Sequence, residues 1–270
     1  MKRTIVMAAL ALTACERRPA GGASASSAPT SSAAPSASAS VAASTPSSSA
    51  SAPPMARPTG FAMSFDADPL GGPAPDVEAV IGDWLIGEKD GARGLVVDGS
   101  RWRSGTPSVS LADQAKSLYG ERYAEFLDGV RAFAFFPLAI AKLEPEGDVR
   151  LSVRFYPFGG KVDQAAGIAF GVQPDGSYWG ARANALEDNV LYFKVARGKR
   201  TVIDTVRDVP TPTRAWHTLS VTLRATSVDV EVDGKPRLHK AEVAPRGRVG
   251  LWSKADSQVL FDDFKMERVP

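Results

Sequence analysis

Residues 163–195 read DQAAGIAFGVQPDGSYWGARANALEDNVLYFKV, and this stretch decides the fold. Side chains alternate across a strand, so Leu191, Phe193 and Val195 share one face while Tyr192 and Lys194 take the other. Upstream, Trp179, Ala181 and Ala183 alternate with Tyr178, Arg182 and Asn184. A hairpin across residues 185–189 would bring Tyr178, Arg182, Asn184, Tyr192 and Lys194 to one polar, aromatic surface. Such a surface suits a sugar, offering rings to C–H faces and planar donors to hydroxyls. The same alternation also describes an ordinary solvated sheet face, and periodicity does not separate the two.

The pattern continues on both sides. Phe61, Met63 and Phe65 alternate, and residues 77–86 and 95–102 supply further short extended segments. Leu151, Val153 and Phe155 line one face of a strand, and Ile168, Phe170 and Val172 line the next. Pro174-Asp175-Gly176 predicts a tight turn. Leu219, Val221 and Leu223 alternate, as do Val228, Val230 and Val232, before a two-residue hairpin turn at Asp233-Gly234. Two closing strands flank residues 254–257. The exception is residues 110–130, where Ser110 caps a predicted helix and Gly120 splits the region into two short helices. The apolar run after it is interrupted by Pro137, which predicts a bend in a buried strand. About a dozen short strands with little helix imply an all-β, two-sheet sandwich over residues 59–270.

The first 58 residues have a different character. Lys2 and Arg3 precede an apolar run, 4–12, that is too short to span a bilayer and has the form of a signal-peptide core. Leu12-Thr13-Ala14-Cys15 resembles the lipobox of bacterial lipoproteins, which implies lipidation of Cys15, the single cysteine of the chain. Glu16 follows where an inner-membrane-retaining aspartate would stand, so the resemblance implies the outer membrane, on its periplasmic side or its surface. Residues 1–14 are then a signal peptide, and 15–58 a linker rich in Ser, Ala and Pro. Residues 19–56 carry no charge and too few apolar groups to offset the entropy of ordering. As a coil they span about 30–40 Å. Loss of Lys2 and Arg3 takes the formal charge from +2 to 0. No basic excess remains for phosphate, which argues against nucleic acid as a partner.

The segments DQAAGIAF, YWGARANALEDNVLYFKV, AWHTLSV, VEVDGK and GRVGLWSKADSQVLFDDF resemble concanavalin A-like jelly-roll domains of bacterial secreted proteins. The resemblance covers about residues 148–266 and extends to domains grouped as laminin G-like, or as 3-keto-disaccharide hydrolases of the family 16 glycoside hydrolase-like type. It implies two stacked antiparallel sheets with ligands on the concave face or its rim. Family 16 enzymes carry Glu-x-Asp-x-Glu on a strand, whereas Glu231-Val232-Asp233 here runs into a turn, so a retaining glycanase is not expected. A 3-keto sugar needs less: a general base beside an acidified C–H, and a cation for the enolate. Asp163, Glu187, Asp188 and His217 are the acid/base candidates; Arg182, Lys194 and Lys254 are the electrophiles. The catalytic set is Glu187, Asp163 and His217. The substrate-binding set is Tyr178, Arg182, Asn184, Tyr192, Lys194 and Lys254.

His217 follows Trp216 at a strand entry, where a structural hydrogen bond is the ordinary role. Two separated histidines offer no zinc spacing. Asp262-Asp263 has the oxygen chemistry for calcium, against the plainer role of pairing with a base, and no other cofactor is expected. The expectation is a monomeric, membrane-tethered carbohydrate-recognising domain that either only binds or also acts on 3-keto-disaccharides. The alternative is a non-catalytic laminin G-like module holding a protein or an envelope polymer.

Overall fold

A computed structural model describes residues 60–101, 117–122 and 136–270. The expected signal peptide, Cys15, the expected linker and most of the two helices expected over 110–130 lie outside the described residues. Of that helical region, Ser117 to Tyr119 form a helical turn, followed by a 3₁₀ turn at Gly120–Arg122. Gly120 takes a left-handed φ of 53° at the expected break.

Among the described residues, fifteen strands make two antiparallel sheets. The first runs β13 (Lys235–Lys240), β12 (Val228–Val232), β11 (His217–Leu223), β6 (Val149–Gly159), β15 (Gln258–Arg268), β4 (Ala92–Asp98) and β3 (Trp84–Lys89), with β1 (Gly60–Met63) also paired to β15. The second runs β10 (Lys199–Arg207), β9 (Asn189–Ala196), β8 (Tyr178–Asn184), β7 (Ala165–Val172), β14 (Arg248–Ser253), β5 (Leu138–Ala141) and β2 (Val77–Ile81). The expected sandwich is therefore present. Gly82 (φ 90°) divides residues 77–86 into β2 and β3, which enter different sheets. Asp233 and Gly234 both have positive φ, as a two-residue hairpin turn with right-handed strand twist requires. Pro236 sits on β13, an edge strand, where a missing amide proton breaks no interior ladder.

The alternating apolar faces meet between the sheets. Leu151, Val153 and Phe155 pack with Leu219, Val221, Ile168 and Phe170 in the main core. Each fully buried side chain of this size contributes about 1.5–3 kcal/mol. Val172 departs from the expected pattern. Gly171 at φ 60° precedes it, the pairing with β14 shifts, and Val172 turns to the opposite side from Ile168 and Phe170.

The second sheet is buried on both faces at its centre, and this governs where a ligand can approach. Its outer face carries Tyr178, Leu191, Phe193 and Trp252 in a second apolar layer, packed with Leu118 and Phe136. Phe136 stacks on Trp252 at 5.5 Å, and Phe193 lies 4.8 Å from Trp252.

Candidate functional site

The open end of that outer face gathers the charged residues. Gly160 (φ 123°) follows β6, and a Cβ there would come within 1.9 Å of the Asp163 carbonyl oxygen. The following loop is held from the β14–β15 turn. Asp256 accepts the amides of Lys161, Val162 and Asp163 at 2.7, 3.0 and 3.0 Å. Burial opposes ionisation of Asp256, but these amides outweigh it and hold its carboxyl below the usual range. Ser257 continues the stitch, accepting the amide of Ala165 at 3.0 Å and donating to the Lys254 carbonyl at 2.6 Å.

So placed, the Asp163 side chain is fully buried and meets two donors. Lys254 Nζ lies 2.9 Å from each carboxylate oxygen, with a hydrogen bond to Oδ1; Oδ2 has the charge contact but no hydrogen bond. Asn184 Nδ2 donates to Oδ1 at 2.8 Å. Asn184 Oδ1 in turn accepts the amides of Gln164 and Leu186, at 3.3 and 3.0 Å, joining the loop to the hairpin turn. Glu187 projects from that turn. Its Oε2 accepts from Arg182 Nη2 at 2.5 Å and from Asn189 Nδ2 at 3.1 Å, while Oε1 lies 3.9 Å from Lys254 Nζ. Arg182 also donates to Asn189 Oδ1, and its side chain is only 1% exposed. Arg200 lies on the same face, opposite Val195, with its guanidinium over the rings of Phe136 and Phe193.

The two carboxylates are pushed apart in acidity. Burial raises Asp163, and the negative charge of Glu187 adds to it against the opposing pull of Lys254 and Arg182. Burial also works against Glu187, but Arg182, Asn189 and Lys254 outweigh it and hold its carboxyl low. Burial pulls Arg182 and Arg200 below the usual guanidinium range, partly offset by these carboxylates.

Of the residues singled out from sequence, Asp163, Arg182, Asn184, Glu187 and Lys254 come together. Tyr192 and Lys194 do not share their face, which corrects the expected surface. Asn184 pairs with Asn189, Arg182 with Leu191 and Tyr178 with Val195. The turn therefore spans 185–188, one residue shorter than expected, and a one-residue change of register moves every side chain of β9 to the other face. Tyr192 instead stacks on Phe170 in the inter-sheet core and donates its hydroxyl to Glu242. Lys194 lies 4.4 Å over the Trp179 ring. Tyr178 is on the expected side but fully covered, its hydroxyl accepting from Trp252 Nε1 at 3.1 Å.

His217 belongs to the other sheet. Its ring nitrogens are engaged by Asp233 Oδ2 at 2.9 Å and by the Pro212 carbonyl at 3.0 Å, so it fastens a turn and does not join Asp163 and Glu187. Asp188 is exposed at the tip of its turn with φ 45°. Asp262 and Asp263 both pair with Arg154, at 3.4 and 3.3 Å, and Asp263 also pairs with Lys265 at 3.0 Å. Among the described residues, no group of three or more His, Cys, Asp or Glu side chains is placed to hold a metal. Sequence reasoning did not include Asn189, Arg200 or Asp256 in the site. Asn189 was legible as the residue closing the turn; nothing local in the sequence marks Arg200.

No family model and no curated protein matches this sequence. Among solved structures, the carbohydrate binding module CBM66 from Bacillus subtilis superposes with a TM-score of 0.52 at 14% identity, covering 74% of this chain and 99% of that one. A Bacillus subtilis protein of unknown function with a galectin-like fold gives 0.48 at 11% identity, covering 72% and 89%. The Crh5 transglycosylase in its apo form gives 0.48 at 10%, covering 79% and 85%. The first of these, together with the two antiparallel sheets, identifies the fold as a jelly-roll β-sandwich.

Proposed function

We propose that this chain is a carbohydrate-recognising domain that binds through the rim of its second sheet, around Lys254, Glu187, Arg182, Asn184 and Asp163. One observation carries the reading. Two carboxylates, two side-chain amides and two cations are locked into a single network at the end of one sheet face, and Glu187 is the member most open to solvent, at 37%. Planar, pre-oriented donors and acceptors at a partly open rim are what sugar hydroxyls require, because little ordering entropy is left to lose on binding. The fold shared with a module named for carbohydrate binding supports the same reading.

Binding without turnover fits the geometry best. Asp163 has no exposed side chain and is held by Lys254 and Asn184, so no base stands free beside a substrate carbon. The opposed acidities of Asp163 and Glu187 favour a second reading, in which the pair acts on a 3-keto-disaccharide with Lys254 between them. Saturation-transfer NMR with disaccharides and their 3-keto forms tests both. Transfer without product, weakened at least about tenfold by Glu187→Gln, is the expected result; new product signals would make the protein an enzyme, and no transfer would overturn sugar binding.

The tether rests on the sequence. We propose that Cys15 is acylated and that residues 15–58 hold the domain off the outer membrane. An alkynyl fatty acid should label the wild-type chain and not Cys15→Ser; equal labelling would refute the anchor.

A further inference from the structure

A second candidate site lies on the outer face of the first sheet. Arg150, Thr222, Asp229 and His239 stand in one row across β6, β11, β12 and β13, at the edge of a trough of about 470 Å³. That volume is within the roughly 300–1,000 Å³ usual for small-ligand sites. Its polar groups are fixed in pairs. Arg150 meets Glu231 with two parallel bonds at 3.0 and 2.7 Å, and Asp229 accepts from Arg224 at 2.7 Å and from His239 Nδ1 at 2.6 Å.

Arg237 is the exception. The pairing of β12 with β13 slips between Val230 and Glu231, so Arg237 is the extra residue of a bulge, set between Pro236 and Leu238. Bulges re-aim a side chain at the cost of ladder pairing. This one brings to the trough a guanidinium that makes no ion pair among the described residues and whose buried Nε has no acceptor. Three arginines thus face two carboxylates.

We propose that this trough binds a saccharide bearing a carboxylate, a uronate-type sugar, with the carboxylate on Arg237 and the hydroxyls on the flanking pairs. A bare anion fits less well, because Asp229 and Glu231 would repel it. A sugar's hydroxyls donate to those carboxylates and accept from Arg150 and Arg224, while its carboxylate supplies the planar acceptor a guanidinium fork matches. The site lies on a different sheet from the rim around Lys254 and does not depend on it.

The test titrates the full ¹⁵N-labelled chain with a hexuronate disaccharide, the corresponding neutral disaccharide, and acetate. The expected result is shift changes at Thr222, Arg237 and His239 with the uronate, binding about tenfold or more tighter than either control. Arg237→Gln should remove that preference. Arg237→Lys, which retains the charge but not the fork, should fall between. Equal binding of the neutral sugar, equal binding of acetate, an unaltered Arg237→Gln variant, shifts confined to the amides around Glu187 and Lys254, or no shifts at all would each overturn the assignment.

Discussion

Lys254 is ion-paired at 2.9 Å with Asp163, a carboxylate that has no exposed surface, and the two are 91 residues apart in the chain. Removing one partner of a buried pair leaves the other's charge uncompensated, at about 3–5 kcal/mol. Lys254→Met should therefore lower stability to urea by about that amount. Adding Asp163→Asn should restore much of the loss, since the stranded charge goes with it. A double variant no more stable than Lys254→Met would show that the charge pairing is not what matters there.

Glu187 is held below its ordinary value of 4.5, against the opposing effect of burial, by Arg182, Asn189 and Lys254. A carboxyl depressed by folding contributes stability that is fully present above its unfolded value and is lost as pH falls through its folded one. Urea midpoints of the wild type and Glu187→Gln should differ near neutrality and converge in acid. Asp163 acts in the opposite sense. Its folded value is raised above the ordinary 3.8, so its contribution weakens stability as pH rises through that window. Parallel curves for wild type and Glu187→Gln would contradict the assignment.

Gly160→Ala should destabilise the domain by about 1–3 kcal/mol. The residue has φ 123° and its Cβ would strike the Asp163 carbonyl, so the loop that delivers Asp163 would have to move. Thermal unfolding gives the cost. A saccharide titration should show weakened rim binding alongside it, and a variant as stable as wild type would mean that the loop yields freely.

His217→Gln should change stability and leave saccharide binding unaltered. Both ring nitrogens are committed to Asp233 and to the Pro212 carbonyl, and Asp233 also accepts the Thr218 amide at 2.8 Å. Loss of such bonds costs about 0.5–3 kcal/mol. Abolished binding in a folded variant would return His217 to the site.

Trp252→Ala should cost about 3–5 kcal/mol, the usual range for a large aromatic truncated in a packed interior. Trp252 is fully buried, stacks with Phe136, meets the tilted ring of Phe193 at 4.8 Å, and donates to Tyr178. Calorimetry on the variant checks it; a loss under about 1 kcal/mol would mean that the outer layer closes over the gap.

Much of this was legible residue by residue. The alternation of Leu151, Val153 and Phe155 and of Leu219, Val221 and Leu223 marks strands with one face in the core, and those faces are buried. Asp233-Gly234 marks its turn because few residues tolerate positive φ at two successive positions. Arg182 and Asn184 were legible as polar side chains alternating with apolar ones, and Glu187 and Lys254 as an acid/base group and a cation of the kinds sugar chemistry uses. The second apolar layer over Tyr178 and Trp252 was not legible, since alternation reports which side chains share a face and not what covers that face.

By itself, then, the sequence determined the strands, their two-sided patterning, the sharp turns and the change of character near residue 58, because each depends on neighbours within a few positions. Tertiary structure decided that Asn184 faces Asn189, which sends Tyr192 into the core and leaves Arg182 with Glu187. It also decided that Asp256 holds the loop of Asp163, and that a bulge sets Arg237 beside Glu231. The physical reason is the same in each case. A strand's side chains repeat every two residues, so a single residue gained or lost in a turn or bulge exchanges its faces, and only the packing of the two sheets selects between them.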